Sequence, residues 1–122
     1  MNHTLRTSKY AKEILQQLHS ATKITPNILI RYAVALSLKI PEKVSPLTKD
    51  PVDGLVLNRS TVTGDYDYVF HALIAQHAEE PIQDTDYFPA YFNAHLERGI
   101  RTLGAEYKGT GNYEKFIRSL IS

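Results

Sequence analysis

Apolar residues recur at helical spacing along most of this chain, and the most apolar such segment is residues 26–38. Thr25 is placed to cap a helix, and Pro26 falls at its first position, where a missing backbone N–H costs nothing. Apolar side chains then occupy more than one side of the predicted helix: Ile28, Leu29, Ile30, Tyr32, Ala33, Val34, Ala35 and Leu36. Such a helix must be buried, either by its own chain or by another subunit.

The apolar excess of this helix predicts a homo-oligomer, since a chain of 122 residues has few elements with which to cover it. One side is expected to pack inside the protomer: Leu29, Tyr32, Ala33 and Leu36. Two residues on another side are expected to form the interface with a neighbouring subunit: Ile30 and Val34.

The segment before it predicts a helix with one narrow apolar stripe and polar, basic outer faces. Ser8 is a candidate N-cap. The stripe consists of Ala11, Ile14, Leu15, Leu18 and Ala21. A short extended segment, residues 3–6, comes before the cap. This order of strand, basic helix, turn and apolar helix is that of ribbon-helix-helix modules, and an ordinary helical hairpin has the same pattern.

Helical periodicity stops between residues 40 and 64, where three prolines forbid a continuous helix: Pro41, Pro46 and Pro51. We predict a long loop here, and a connection this long in so small a domain is usually functional or lies against a neighbour. Residues 55–57 and 60–63 are candidate strands around Asn58-Arg59 and predict a small hairpin within the loop.

Periodicity resumes after Gly64 and predicts three more helices. The first begins near Asp65 and ends before Pro81, with one apolar face: Tyr66, Val69, Phe70, Leu73, Ile74 and His77. The second follows Asp84 and ends at Gly104, before a turn at residues 109–111. The third is capped by Asn112 and carries the stripe Tyr113, Phe116, Ile117, Leu120 and Ile121. The chain is therefore predicted to be mainly α, a single domain over residues 1–122 with about five helices.

The amino-acid composition excludes several classes of protein and of functional site. The chain contains no cysteine, which excludes disulfides, thiolate zinc sites and cysteine nucleophiles and fits a cytoplasmic protein. No apolar run reaches the ~20 residues that span a bilayer, and the N-terminus lacks a signal-peptide core. We therefore expect no membrane association.

Charge is segregated along the sequence although the formal net charge is only +1. Residues 1–43 hold seven Lys or Arg and two Glu, a balance of +5. Residues 65–97 hold seven Asp or Glu and no Lys or Arg, a balance of −7, and the remainder is basic again at +3. A basic first third is suited to a polyanion, whereas the acidic segment is suited to a basic protein partner.

Candidate catalytic groups are confined to the acidic segment. His71 and His77 are six residues apart and so lie on different sides of a helix, unlike the i, i+4 pairs of metal-binding helices. His77 is expected to be a packing residue, and His95 to cap a neighbouring carbonyl. Asp65 and Asp67 are either helix caps or half of a divalent-metal nuclease site, and capping is the simpler interpretation. We predict no metal, no cofactor and no intrinsic catalysis.

Three segments together resemble the DndE family of the bacterial DNA phosphorothioation system. They are residues 25–33 (TPNILIRYA) with the trailing Ser37-Leu38, the loop between residues 53 and 65, and residues 95–100 (HLERGI). Their order and spacing agree with the family from about Arg6 to Leu103, which is most of the chain.

The resemblance implies a small helical protein with ribbon-helix-helix likeness, a homotetramer in some members. It implies action beside sulfurtransferase and ATPase components that replace a non-bridging phosphate oxygen by sulfur. It also implies DNA binding, with a preference for nicked duplex, through the first helix. The candidate residues in this chain are Arg6, Lys9, Lys12, Gln16, His19 and Lys23. Gln16 and Gln17 stand where the family pattern has lysines, and glutamine bonds a phosphate oxygen without releasing a counterion.

The resulting hypothesis is a non-enzymatic accessory subunit that touches the DNA backbone without reading its sequence. One alternative is a scaffold without DNA contact, docked to a basic partner through Glu79 and Glu80. A second alternative is a divalent-dependent nicking nuclease that uses Asp65, Asp67 and a histidine.

Overall fold

The computed structural model describes residues 3–110 of the chain. Two short strands and a series of helices follow one another: β1 (Thr4–Arg6), α1 (Lys9–Thr22), α2 (Pro26–Leu38), β2 (Val56–Asn58), α3 (Arg59–Thr63), a 3₁₀ turn (Gly64–Tyr66), α4 (Asp67–Ala78), α5 (Asp84–Asp86), a π-helical segment (Tyr87–Tyr91) and α6 (Phe92–Thr110). The fold is mainly α with a two-stranded sheet, which confirms the predicted class. No helix in this part of the chain is both long and apolar enough to cross a membrane.

The predicted order of strand, helix and helix at the N-terminus is confirmed. Ser8 caps α1, since its Oγ accepts the backbone N–H of Ala11 at 3.0 Å. The helix ends at Lys23, which adopts the left-handed conformation with φ 64°. Thr25 precedes α2 and Pro26 lies in its first turn, but the Thr25 side chain makes no capping hydrogen bond. Proline therefore contributes more to this helix start than threonine does.

Helix α6 packs along α2 at the centre of the protein. A Cβ on Gly99 would lie 1.7 Å from the carbonyl oxygen of Ala33, so only glycine allows the two backbones to approach this closely. The packing buries Ile30 and Val34 completely within the protomer. The prediction that these two residues contact a neighbouring subunit is therefore wrong, because other elements of the same chain cover that side of α2. Tyr32, predicted to lie inside, is 42% exposed instead.

The predicted hairpin is also wrong. Strand β2 pairs antiparallel with β1, with Leu57 opposite Leu5, and the second candidate strand is helix α3. Thr7 extends the pairing, since its N–H donates to the Leu55 carbonyl and its Oγ1 accepts the Leu55 N–H. The partner of β2 thus comes from the N-terminal strand, far earlier in the sequence, and no local turn signal reveals such a pairing.

Helix α4 has about the predicted bounds, but its apolar residues are split between two sides. Phe70 and Ile74 are buried, whereas Tyr66, Val69 and Leu73 are exposed. In α1, similarly, the predicted stripe is buried up to Leu18, but Ala21 is exposed and Thr22 takes its place.

Helix α6 continues to Thr110, so the predicted helix end at Gly104 and the turn at Gly109 are wrong. The Tyr10 hydroxyl and the Ile14 Cδ1 lie 3.0 and 3.2 Å from where a Cβ of Gly104 would be. This glycine makes room for α1 rather than ending a helix. The predicted helix from Asn112 onward lies outside the described residues.

Candidate nucleic-acid interface

The candidate DNA-binding residues of α1 lie on its solvent side. Its inner side is formed by Ala11, Ile14, Leu15, Leu18 and Thr22. The other side carries a row that we call the basic strip: Lys9, Lys12, Gln16, His19 and Lys23. Lys12 is half-buried and the other four are exposed. Spacings of three and four residues place them along one face of the helix.

The ammonium groups of the basic strip are not neutralised by any carboxylate of the described residues. No carboxylate in residues 3–110 forms a salt bridge with Lys9, Lys12 or Lys23; the ion pairs of this region involve Lys43 and Arg59. Unpaired, solvent-facing ammonium groups are free to meet phosphate. Arg6 is also exposed but lies in β1, before the helix begins.

His19 has a structural contact that limits its use as a phosphate ligand. Its Nδ1 lies 2.9 Å from the carbonyl oxygen of Ile24. A carbonyl only accepts, so Nδ1 carries the proton, and the neutral ring offers only an acceptor at Nε2. His19 therefore uses one ring nitrogen to hold the turn between α1 and α2.

Glu97 fixes the start of α1 to α6. Its Oε2 accepts the backbone N–H of Ser8 at 3.0 Å, and its Oε1 accepts the Ser8 hydroxyl at 2.6 Å. A carboxylate at a helix N-terminus also interacts favourably with the helix dipole. The inner side of the candidate interface is thereby attached to the core helix.

Two of the three segments that carry the family resemblance meet at the C-terminal end of α2, which we call the Ser37 junction (Ser37, His95 and Arg98). The buried His95 Nδ1 lies 2.8 Å from Ser37 Oγ. Arg98 donates from Nε to the same Oγ at 2.8 Å and from Nη2 to the Ser37 carbonyl at 2.7 Å. Its Nη1 also donates to the Glu42 carbonyl at 2.6 Å. Arg98 thus adds donors to carbonyls at and beyond the end of α2, and the Ser37 carbonyl also accepts the backbone N–H of Ile40 at 3.0 Å.

The Ser37 junction holds His95 in its neutral form. Ser37 Oγ accepts from Arg98 Nε and also shares a hydrogen bond with His95 Nδ1, beside the positive charge of Arg98. Burial, with smaller contributions from His77 and Arg98, lowers the pKa of His95 to about 4. His95 was expected to cap a carbonyl, and it bonds a serine hydroxyl instead. His77 is half-buried and donates from Nε2 to the Ile40 carbonyl at 2.7 Å, which confirms its expected packing role.

Arg59 is at the centre of a cluster that sequence reasoning missed. Its guanidinium binds both oxygens of Asp67, from Nε at 2.9 Å and Nη2 at 2.7 Å. It also binds both oxygens of Asp84, from Nη1 at 3.0 Å and Nη2 at 2.7 Å. The rings of Tyr87 and Phe88 lie 5.2 and 5.1 Å from its guanidinium carbon. No local pattern marks Arg59, because its partners come from α4, α5 and the π-helical segment.

This cluster bears on the nuclease hypothesis. Burial favours a higher pKa for Asp67, but the hydrogen bonds and charge of Arg59 outweigh it and lower that pKa. The hydrogen bonds from Arg59 likewise lower the pKa of Asp84. Both oxygens of Asp67 are engaged, and Asp65, two residues earlier, is exposed. Within residues 3–110, no three His, Asp or Glu side chains are grouped so as to hold a metal ion.

The acidic segment presents less free charge than its composition suggests. Asp67 and Asp84 pair with Arg59, and Glu97 binds Ser8. Glu79 and Glu80, the predicted docking residues, are exposed at the end of α4. Glu79 lies 3.8 Å from Lys43 Nζ, with both side chains more than half exposed. Such a pair contributes little to stability and is easily exchanged for another partner.

The fold and the candidate interface define a small, mainly helical protein with a two-stranded sheet and a basic outer helix. The chain belongs to the DndE family: the family described as "DNA sulphur modification protein DndE" matches residues 4–110.

Two solved structures are similar to this chain. One is DndE from Escherichia coli B7A, involved in DNA phosphorothioation modification, with a TM-score of 0.65 and 26% identity over 82% of this chain and 96% of that one. The other is a mutant DndE involved in DNA phosphorothioation, with a TM-score of 0.62 and 25% identity over 84% of this chain and 97% of that one. No curated protein matches the chain.

Proposed function

We propose that this protein is a non-catalytic accessory subunit of a DNA phosphorothioation complex and that it binds the DNA backbone, including that of nicked duplex, through the basic strip. The observation that carries the proposal is a row of lysines along α1 and at its C-cap that have no carboxylate partner within residues 3–110: Lys9, Lys12 and Lys23. Membership of the DndE family supports the pathway. The sulfurtransferase and ATPase components of such a system are the expected protein partners.

The binding is expected to be independent of base sequence. Lysines on flexible stems contact phosphates, whereas base readout relies on Arg, Asn or Gln pairs held against base edges. Gln16 extends the strip with a neutral side chain. It can donate a hydrogen bond to a phosphate oxygen, but it releases no counterion from the DNA. If about two lysines are used, log K should fall with log salt at a slope near −1.8 per protomer.

The test is the double variant Lys9→Ala with Lys12→Ala, with nicked and intact duplexes as ligands. We expect DNA affinity to fall at least roughly tenfold at low salt and the salt slope to approach zero. The matched control is Lys39→Ala with Lys49→Ala, which removes the same charge from two exposed sites outside α1. Equal losses in the two double variants would mean that only net charge matters and would refute the assignment to α1.

We also propose that the protein is a homo-oligomer whose interface lies on what we call the outer face: Tyr32 of α2 with Tyr66, Val69 and Leu73 at α4. These side chains are 42%, 56%, 47% and 41% exposed. Tyr66, Val69 and Leu73 follow one another at helical spacing, and exposed apolar side chains of this size are typical of subunit contacts. We propose this surface in place of Ile30 and Val34, because those two side chains are buried within the protomer. Light scattering should give a mass several times 13.8 kDa, and Leu73→Asp should lower it.

A scaffold without DNA contact is the second candidate, favoured by the exposure of Glu79 and Glu80. If it is correct, charge reversal at both residues should abolish co-purification with the partner components. The Lys9 and Lys12 variant should then leave co-purification and DNA modification unchanged. The opposite pattern supports the DNA-binding proposal.

A further inference from the structure

The long loop between α2 and β2 is held against the rest of the protein at two points. Arg98 of α6 donates from Nη1 to the Glu42 carbonyl at 2.6 Å. Further along the loop, the backbone N–H of Leu47 donates to the Ala90 carbonyl at 3.3 Å. A connection this long in a small domain usually has a function, and no residue of it belongs to the basic strip.

The loop and α6 enclose a cleft of about 260 Å³, which we call the loop niche. The polar side chains that line it are Lys43 and Ser45 of the loop and Glu97, Arg98 and Arg101 of α6. Three of them are cationic and one is anionic, so the lining carries a net charge of +2. The anionic one, Glu97, is already bound to the N–H and the hydroxyl of Ser8.

Arg101 supplies an available cation to the loop niche. Its side chain is exposed, and no carboxylate or carbonyl of residues 3–110 binds its guanidinium. Arg98, in contrast, is occupied in holding the loop. Burial lowers the pKa of Arg98; Glu42 opposes this shift, and the nearby charge of Arg101 adds to it. An anion bound beside the two guanidinium groups would relieve their repulsion.

Lys43 and Ser45 can add donors from the loop side. The Lys43 ammonium lies 3.8 Å from Glu79, and both side chains are more than half exposed, so this pair is easily exchanged for another partner. Ser45 is exposed as well, and no group of residues 3–110 is hydrogen-bonded to its hydroxyl. The loop niche therefore brings a guanidinium, an ammonium and a hydroxyl together at one cleft.

We propose that the loop niche binds a phosphodiester group of the DNA backbone, with the Arg101 guanidinium as the main ligand and Lys43 and Ser45 as further donors. A guanidinium can hold two phosphate oxygens at once through parallel hydrogen bonds. The inference rests on the proposed binding of DNA. It gives that binding a second point of contact, on α6 and the loop instead of α1.

The loop niche lies next to the N-terminal end of the basic strip. Glu97, which lines the niche, binds Ser8, and Lys9 is the following residue. A DNA strand in contact with Lys9 and Lys12 thus has the niche beside it, and the two sites can bind phosphates of one duplex. Phosphate contacts of this kind position a protein on DNA without reading its base sequence.

The cleft beside Arg59 is unsuitable for the same ligand. It has a volume of about 390 Å³, and its lining includes His3, Asn58, Arg59 and Asp67. Arg59 is bound by both oxygens of Asp67 and both oxygens of Asp84, so two carboxylates outweigh its single positive charge. A phosphate in this cleft would face net negative charge.

The first test is Arg101→Gln, with nicked duplex as the probe. DNA affinity should fall severalfold at low salt, and the slope of log K against log salt should decrease in magnitude by about 0.9, the share of one phosphate contact. The matched control is Lys49→Gln, which removes an exposed charge of the same loop that does not line the niche. If Lys49→Gln weakens binding as much as Arg101→Gln does, the niche has no role of its own and the inference is overturned.

A second variant introduces charge instead of removing it. Ser45→Asp places a carboxylate in the loop wall of the niche and should weaken DNA binding at least as much as Arg101→Gln. Ser45→Asn has nearly the same size without the charge and should bind as the wild type does. Ser45 is exposed, so neither change should disturb the fold, and circular dichroism checks this. Equal DNA affinity of the Asp and Asn variants would contradict the assignment.

A combined series separates the loop niche from the basic strip. In the Lys9→Ala, Lys12→Ala background the niche should leave a residual salt slope of about −0.9, where the strip alone would leave none, and Arg101→Gln should remove it. If the Lys9 and Lys12 variant loses affinity and Arg101→Gln does not, the inference fails and the strip is retained. The reverse pattern retains the niche and refutes the strip. A wild-type protein that binds no DNA removes both.

Inorganic phosphate tests whether the niche takes a free anion instead of DNA. It is titrated into the wild type and Arg101→Gln at constant ionic strength, and binding is followed by calorimetry. We expect weak binding at most, because the neighbouring contacts of a DNA strand are missing. Tight phosphate binding that Arg101→Gln abolishes, together with an unchanged DNA affinity, would assign the niche to a free phosphate ligand and overturn the inference.

Discussion

The lysines of α1 and three arginines elsewhere in the chain carry the same charge in different surroundings. The lysines face solvent and pair with no carboxylate of the described residues: Lys9, Lys12 and Lys23. Each of the arginines binds several acceptors of the protein itself: Arg31, Arg59 and Arg98. Arg31, for example, donates to the carbonyls of Val62 and Thr61 at the end of α3.

The difference follows from the two side chains. A guanidinium presents five donors in a rigid plane and can hold several carbonyl or carboxylate oxygens at once, whereas an ammonium is compact and strongly hydrated. The arginines accordingly join elements, and the lysines remain available to an external anion. The charge count of a segment therefore does not show which charges a partner can reach.

The largest expected effect is at Arg59. Arg59→Met should leave Asp67 and Asp84 without their partner and lower the free energy of unfolding by about 2–3 kcal/mol, less than for a fully buried pair because Asp84 is partly exposed. Lys9→Met, the matched change on α1, should stay within about 0.5 kcal/mol. Urea unfolding measures both. If the two variants lose similar amounts of unfolding free energy, Arg59 is no more important to the fold than a solvent-facing lysine, and the comparison fails.

His95 should make stability depend on pH. Its pKa is lowered to about 4 in the folded protein from 6.5, so the unfolded chain binds the proton more readily between these values. The stabilisation is present above pH 6.5 and is lost as pH falls towards 4, by about 2 kcal/mol at pH 5. Unfolding of wild type and His95→Phe at several pH values should differ in slope over this range. Parallel curves would show that His95 is not held neutral.

A smaller effect is expected at Glu97. Glu97→Gln keeps an oxygen for Ser8 but removes the charge at the start of α1, which should cost about 1 kcal/mol. Glu13→Gln, an exposed carboxylate on the same helix, is the control and should change stability by less than about 0.5 kcal/mol. If Glu97→Gln and Glu13→Gln lower the free energy of unfolding equally, Glu97 does not anchor the candidate interface.

The last substitution, at Asp65, is expected to have no effect on DNA. Asp65→Asn should not alter plasmid integrity in the presence of magnesium or manganese, because Asp65 is an exposed carboxylate outside the Arg59 cluster. Asp67 is unsuitable for this test, since its substitution would disturb the Arg59 cluster. Nicking by the wild type that Asp65→Asn abolishes, in proteins purified identically, would replace the accessory role by that of a nuclease.

Short-range patterns predicted the elements whose causes are local. Ser8 caps α1, Pro26 begins α2 and residues 3–6 are extended, because each depends on neighbours within a few positions. The segments TPNILIRYA and HLERGI also predicted the family from sequence. Their packing against each other at the Ser37 junction, in contrast, became apparent only in the folded chain.

Tertiary structure decided which side of each helix is covered and which distant groups meet. Periodicity shows that α2 is apolar on two sides, but only the placement of the other elements buries Ile30 and exposes Tyr32. The pairing of β2 with β1 and the contacts of Arg59 have the same origin. Helix formation depends on residues three or four apart, whereas burial and ion pairing depend on segments that are distant in sequence, and a single sequence does not encode their positions in any local pattern.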